Sequence, residues 1–253
     1  MIRSPRGPIS SPSSNRRTAP SSSATTFRRT RRGWRMEQHG TVLSEVLLEP
    51  GPTDSVFDLL ACACRLHPNP LQIALLGFAG GSVLAALRAL GIRAQVQGID
   101  LDRQGYDRLR QGRPGWLQPL CWRKTDAIAW LARTRRRFDV IVEDLSVPCG
   151  GDVEKPESTW EIVPRLMAGR LAPGGLAVFN LLRPPGMGWS RGIADIQKPF
   201  AHAVRADLFD YHNRVLIASQ EPFEPGRSGE VLRQAMRDLG STQASRFRVR
   251  QLA

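Results

Sequence analysis

The sequence predicts an α/β fold, a seven-stranded and mostly parallel sheet with helices on both faces and an antiparallel last pair of strands. Three observations carry that expectation. Residues 71–102 read as strand, glycine-rich turn, helix, strand and acid. Apolar runs of strand length alternate with helical periodicity from there to residue 219. The last two strand-like runs, 204–209 and 214–219, are joined by residues 210–213 alone, and a parallel crossover needs about a dozen residues or more.

The first of these stretches sets the organisation. Ile73, Ala74, Leu75 and Leu76 enter Gly77-Phe78-Ala79-Gly80-Gly81, after which Val83, Leu84, Leu87 and Leu90 recur at helical spacing until Gly91. Glycines let a ligand approach the backbone closely, and the helix start that follows offers free N–H groups. A second apolar run ends at Asp100, about 20 residues beyond the glycines, where a Rossmann-like sheet presents a carboxylate to ribose hydroxyls. Gly77, Phe78, Ala79, Gly80, Gly81 and Asp100, with Leu101 beside it, are therefore the candidate nucleoside contacts.

The 253 residues have room for one substantial domain, and a hydrophobic share of 41% supports a packed core. No apolar run approaches the length of a membrane span. A soluble, cytoplasmic protein is expected, with Cys62, Cys64, Cys121 and Cys149 as reduced thiols. They form no pair of CxxC steps, so no metal is expected. The net charge is +13, but nine arginines precede Glu37 with no acid among them, which leaves +4 for the remainder. Residues 1–36, rich in Ser, Arg and Pro, are expected to be a disordered tail because they have little apolar surface to offset ordering entropy. Met36 marks the change in composition and is the expected translation start; a nucleic-acid-attracting arm and an organelle transit peptide are the alternatives for the tail.

Residues 37–66 read as a short strand at 41–48, a Pro-Gly-Pro turn, and a helix capped by Thr53 or Asp54 that carries Val56, Phe57, Leu59, Leu60 and Leu66. The main domain is expected at 67–220. After Asp102 come a short helix ending at Gln111, a strand at 117–122, and Thr125-Asp126-Ala127 at a strand-to-helix junction. There Asp126 either caps the helix or, with Ala127 beside it, meets adenine. A fourth strand, 138–142, exits into Glu143-Asp144-Leu145-Ser146-Val147-Pro148 and a long loop. Its place at the carboxyl end of a strand makes Asp144 the candidate catalytic carboxylate. A helix at 158–171, a strand at 176–181, a lid-like Pro- and Gly-rich loop at 183–192 and a helix at 193–203 lead into the last strand pair. Residues 221–253 are expected to hold an amphipathic helix built on Val231, Leu232, Ala235, Met236 and Leu239, then a frayed basic end.

As a set, these motifs resemble the spermidine synthase-like (polyamine aminopropyltransferase) branch of the class I S-adenosylmethionine-dependent methyltransferase superfamily, over roughly residues 54–220. The resemblance implies S-adenosylmethionine, or its decarboxylated form, as cofactor. Asp100-Leu101-Asp102 is similar to the family's ribose-binding Glu-Leu-Asp run, Thr125-Asp126-Ala127 to its Gly-Asp-Ala adenine motif, and FDVIVEDLSVPCGG to its catalytic loop. It also exposes departures. Gly80 stands where the family has an Asp that touches the cofactor's amine end. Val147 stands at the second Asp of the Asp-x-x-Asp-Pro order, the base that deprotonates the attacking amine, and Val56-Phe57 at the Tyr-His pair that holds that amine.

Aminopropyl transfer needs a neutral, aligned amine, so both the base and the clamp are missing. Methyl transfer asks mainly for alignment, and transfer to an unknown small-molecule acceptor is the expected activity. A residual aminopropyltransferase relying on Asp144 and a non-catalytic adenosyl-nucleoside-binding scaffold are the alternatives. A nicotinamide-dependent oxidoreductase fits less well, since Gly77-x-Ala79-x-x-Ser82 departs from the dinucleotide fingerprint. Nucleic acid is a weaker candidate partner, through the tail or through Arg133, Arg135, Arg136 and Arg137. No membrane partner is expected, and a homodimer is left open.

Overall fold

Residues 25–38, 40–112, 114–149, 152–183, 186–224 and 226–252 are described in the computed structural model. The glycine-rich stretch folds as its pattern requires. β4 (Gln72–Leu76) leads through the turn to α2 (Ser82–Ala89) and on to β5 (Gln95–Asp100), which pairs with β4 in parallel from Gln72 opposite Gln95 to Leu76 opposite Ile99. Gly77 and Gly81 both take positive φ, 84° and 81°, so the turn uses the one residue type that reaches that region without strain. Ala79 joins them at 43°.

The rest of the main sheet is built on the same unit. α3 (Gln104–Gln111) connects β5 to β6 (Leu120–Lys124), and α4 (Ala127–Arg133) leads to β7 (Phe138–Glu143). α5 (Ser158–Ala168) precedes β10 (Leu171–Leu181), and α6 (Trp189–Gln197) precedes the antiparallel β11 (His202–Leu208) and β12 (Arg214–Ser219). The stretch after β7, expected as plain loop, carries a small antiparallel pair of strands, β8 (Val147–Cys149) and β9 (Asp152–Glu154). β6 starts later than the expected 117–122, because 115–117 form a 3-10 turn that seats the Trp116 indole, whose Nε1 donates to the Leu48 carbonyl at 2.8 Å.

The C-terminal end departs from expectation. After α7 (Arg227–Leu239), residues expected to fray form β13 (Phe247–Leu252), antiparallel to β11. Phe247 and Val249 point into the core while Arg248 and Arg250 alternate outward, the period-two pattern of a half-buried strand. The sheet therefore has eight strands, in the order β13-β11-β12-β10-β7-β4-β5-β6, with one strand more than the expected seven. α1 (Val56–Ala63), α2 and α7 pack on one face, and α4, α5 and α6 on the other. No helix among the described residues is long and apolar enough to cross a membrane.

The expectation of a tail through residue 36 is corrected in its last part; residues 1–24 lie outside the described residues. β1 (Thr26–Thr30) and β2 (Gly33–Gln38) form a hairpin that extends β3 (Thr41–Leu47) into a three-stranded antiparallel sheet. Met36, the expected start, lies inside β2, is buried, and pairs with Phe27 on one side and Ser44 on the other. Phe27 and Trp34 pack against the core, and the Arg29 and Arg108 guanidiniums lie over the Trp34 ring at 4.5 and 5.5 Å. A sequence almost without aliphatic residues thus folds on aromatic–guanidinium stacking and strand pairing. One cap also differs: Ser55, rather than Thr53 or Asp54, caps α1, while the Thr53 and Asp54 amides donate to the buried Asp58 carboxylate at 2.7 and 2.8 Å.

Candidate functional site

A cavity of about 740 Å³ opens over the carboxyl ends of β4, β5, β7 and β10, the edge at which such sheets hold ligands, and the β1–β3 sheet walls it on the far side. Of the residues expected to bind a nucleoside or act chemically, it brings together Gly77, Ala79, Asp100, Leu101, Asp126, Ala127 and Asp144. Phe78, Gly80 and Gly81 are not on its wall. Phe78 turns inward, where it fills the space beside Gly98 and Gly81.

Gly80 faces β3. A Cβ there would stand 2.6 Å from Val46 Cγ2 and 3.0 Å from Ser44 Oγ. Ser44 Oγ in turn meets Ser82 Oγ at 2.8 Å, and Ser82 accepts from the Glu45 amide at 2.7 Å. The N-terminal sheet is therefore bonded to the start of α2 over the position where the resemblance expects an acid. A larger side chain there would have to push Val46 and Ser44 aside.

Asp100 sits at the end of β5, where Oδ2 accepts from the Ala79 amide at 2.7 Å and Oδ1 from the Asp102 amide at 2.9 Å. A carboxylate offers about four acceptor sites, so capacity remains for a hydroxyl donor. Burial raises its pKa above the usual carboxylate value, and the Asp102, Ala79 and Leu101 amides oppose the rise. The bond to Ala79 ties the acid directly to the glycine turn. Asp126 has its side chain in the cap of α4, where Oδ1 accepts from the Ala129 amide at 2.8 Å, so the capping half of its expected role is met while it also lines the cavity.

Asp144 leaves the end of β7 beside the turn; a Cβ on Gly77 would run into its carbonyl oxygen. Burial pushes the Asp144 carboxyl up to about 6, against the pull of the Lys155 ammonium and of the Asn180 amide. Asn180 Nδ2 donates to Asp144 Oδ1 at 2.7 Å, and Asn180 Oδ1 accepts from Asn213 Nδ2 at 2.9 Å. The loop below is held by a buried ion pair, in which Lys155 Nζ donates to Glu143 Oε1 and Oε2 at 3.0 and 3.1 Å and to the Leu145 carbonyl at 2.7 Å. Burial pushes the Glu143 pKa up, and the Lys155 charge opposes it. With the ammonium spent on three acceptors, this pair orients the loop and is not itself offered to a ligand.

Val147, exposed, and Val56-Phe57 are all on the cavity wall, so the positions that the resemblance assigns to a base and an amine clamp are there and apolar. The sequence reading missed Asn180, Asn213, Lys155, Tyr211 and the Arg35–Glu45 pair, whose atoms approach to 2.6 Å. One of these carried a signal: Asn180 is the single polar residue in the run AVFNLL, at the carboxyl end of a strand. The others come from separate loops and strands whose meeting no local pattern encodes.

No family model matches the chain, and no curated protein matches it. Solved structures do. A probable spermidine synthase from Corynebacterium glutamicum superposes with a TM-score of 0.66 at 16% identity, over 84% of this chain and 83% of that one. Spermidine synthase from Thermotoga maritima gives 0.61 at 16% identity, over 82% and 80%. Human methyltransferase-like protein 13, in complex with SAH, gives 0.56 at 18% identity, over 73% and 90%. The fold of this chain is that of the spermidine synthases and the class I S-adenosylmethionine-dependent methyltransferases.

Proposed function

We propose that the chain is an S-adenosylmethionine-binding transferase that moves a methyl group to a small-molecule acceptor. The observation that carries this reading is Asp100, bonded to the glycine turn and keeping acceptor capacity, across one cavity from Asp144, whose pKa burial raises to about 6. The cavity wall suits the adenosyl half of the cofactor: Asp100 would take the ribose hydroxyls, and Ala127 and Asp126 would flank the adenine end. The amine end finds no acid on the turn, since β3 fills the space beside Gly80. Bound S-adenosylmethionine supplies a carbon made electrophilic by the attached sulfonium. The chain's own contribution is alignment and a proton acceptor: Asp144, oriented by Asn180, is poised to take a proton from an acceptor hydroxyl or amine. Aminopropyl transfer from the decarboxylated cofactor is the second reading; it shares the fold with the first and has the apolar Val147, Val56 and Phe57 against it.

Titration calorimetry with S-adenosylmethionine, S-adenosylhomocysteine, the decarboxylated form and NAD tests the assignment. Binding of an adenosyl sulfonium or thioether is expected, and Asp100→Ala should weaken it by about 10-fold or more, the scale of a hydrogen bond to a charged group. Unchanged affinity in that variant, or preference for NAD, would overturn the reading.

A further inference from the structure

The carboxyl edge of the sheet does not end at the cavity. Beyond β10 it continues through β12, β11 and β13, and there one face carries an unbalanced set of arginines. Cross-strand register brings them together: Asp207 lies opposite Arg214 on one side and Arg248 on the other, and Arg205 lies opposite Arg250. Arg205, Arg214 and Arg248 all approach the single Asp207 carboxylate, at 3.0, 3.7 and 3.5 Å, and Arg250 has no ion pair among the described residues. Three cations thus share one anion, with a fourth, Arg250, across from Arg205. Like charges directly across a strand pair repel, and the Arg205 and Arg214 side chains are only 13% and 26% exposed, so water screens them incompletely. Burial, and after it the neighbouring Arg205, lowers the Arg214 pKa. Trp189, opening α6, lies under the Arg214 guanidinium at 4.2 Å.

These arginines are not on the cavity wall, but the patch begins one residue from it. Arg214 pairs with Leu181, the last residue of β10, and directly follows Asn213, the end of the chain that runs through Asn180 to Asp144. Leu182 and Asn213 both line the cavity. Charge is therefore sorted across the sheet: Asp100, Asp102 and Asp126 by β5 and β6, Asp144 in the middle, and arginines from the edge inward over β12, β11 and β13.

We propose that these arginines hold the phosphate of a phosphorylated small-molecule acceptor whose nucleophile reaches Asp144. This names the acceptor class for the transferase described above and rests on that reading. Guanidinium forks match phosphate oxygens in pairs. Three adjacent strands span only about 10 Å, room for one or two phosphates and not for a run of nucleotides, and the cavity has small-molecule size.

The test uses inorganic pyrophosphate as probe, titrated into the full chain beside S-adenosylhomocysteine and a single-stranded oligonucleotide. Pyrophosphate is expected to bind, and Arg248→Gln and Arg250→Gln should each weaken it about 10-fold or more. Melting temperature separates ligand loss from misfolding, because Arg250→Gln relieves its repulsion with Arg205 and should hold or raise it. No pyrophosphate binding, affinity unchanged from the parent in both variants, or displacement of pyrophosphate only by the oligonucleotide would overturn the proposal. Failure of S-adenosylhomocysteine to bind would instead strike the transferase reading.

Discussion

Asp144 shows what one buried carboxyl can do to both rate and stability. Its pKa is pushed from 3.8 to about 6, with burial the largest cause. A raised carboxyl pKa means that the folded protein holds a proton the unfolded chain has already released, so the stabilisation present at low pH is lost as pH rises through 6. Asp144→Asn keeps an oxygen facing Asn180 and removes the buried charge. That variant should be more stable than the parent at pH 8, by about 3 kcal/mol at most, with the difference closing as pH falls toward 4. Thermal melts across pH would show it; a gap independent of pH would sink the burial argument. Turnover should rise with pH through about 6 in the parent, and the Asn variant should lose that limb together with about 10²- to 10⁴-fold in rate. Gly80 is the converse case. Restoring the acid that the resemblance expects puts a side chain into Val46 and Ser44, so Gly80→Asp should cost about 1 to 3 kcal/mol in a denaturant melt and gain no cofactor affinity. Asp100, Asp126 and Asp144 were legible from sequence because each stands at the end of a strand with a recognisable pattern, whereas the β3 contact that crowds a side chain at Gly80 depends on a strand about 35 residues away.

The elements that the sequence hid are those that fold without an aliphatic core. β1 and β2 read as tail because arginines dominate them, yet Phe27, Trp34 and Met36 give the hairpin enough to dock, and it brings Thr25, Arg35 and Met36 to the cavity. A chain beginning at Met36 would lose β1, the first half of β2 and the Arg35–Glu45 pair, and would leave β3 with a ragged edge. Its melting temperature should fall by about 4 °C or more, and the cavity should lose ligand affinity. An unchanged melt and unchanged affinity would mean that the hairpin contributes nothing to either. β13 was missed for a related reason. Its alternation is sound, but with Arg248, Arg250 and Gln251 in a stretch of six residues the polarity outweighed the pattern. Strands with strong apolar runs, such as β4 and β7, were found at nearly their true bounds because both of their faces are buried.

At the scale of the molecule, 16% identity to a probable spermidine synthase coexists with superposition over more than four fifths of both chains. The pattern of buried strands and helices sets the fold, while the chemistry hangs on a few side chains at one edge of the sheet. Those side chains decide whether this chain makes spermidine. Amine attack on an aminopropyl carbon needs a base and a clamp, and the corresponding positions put Val147, Val56 and Phe57 on the cavity wall. Asp144, on the same wall, can take a proton, but the Asn180 bond that aims it does not hold an amine in line. The parent protein given decarboxylated S-adenosylmethionine and putrescine is therefore expected to form no spermidine at a useful rate. Val147→Asp alone should not restore it, because the clamp is still absent. Product chromatography on both proteins checks this. Robust spermidine formation by the parent, abolished by Asp144→Asn, would show that Asp144 serves as both anchor and base, and would move the activity from methyl to aminopropyl transfer.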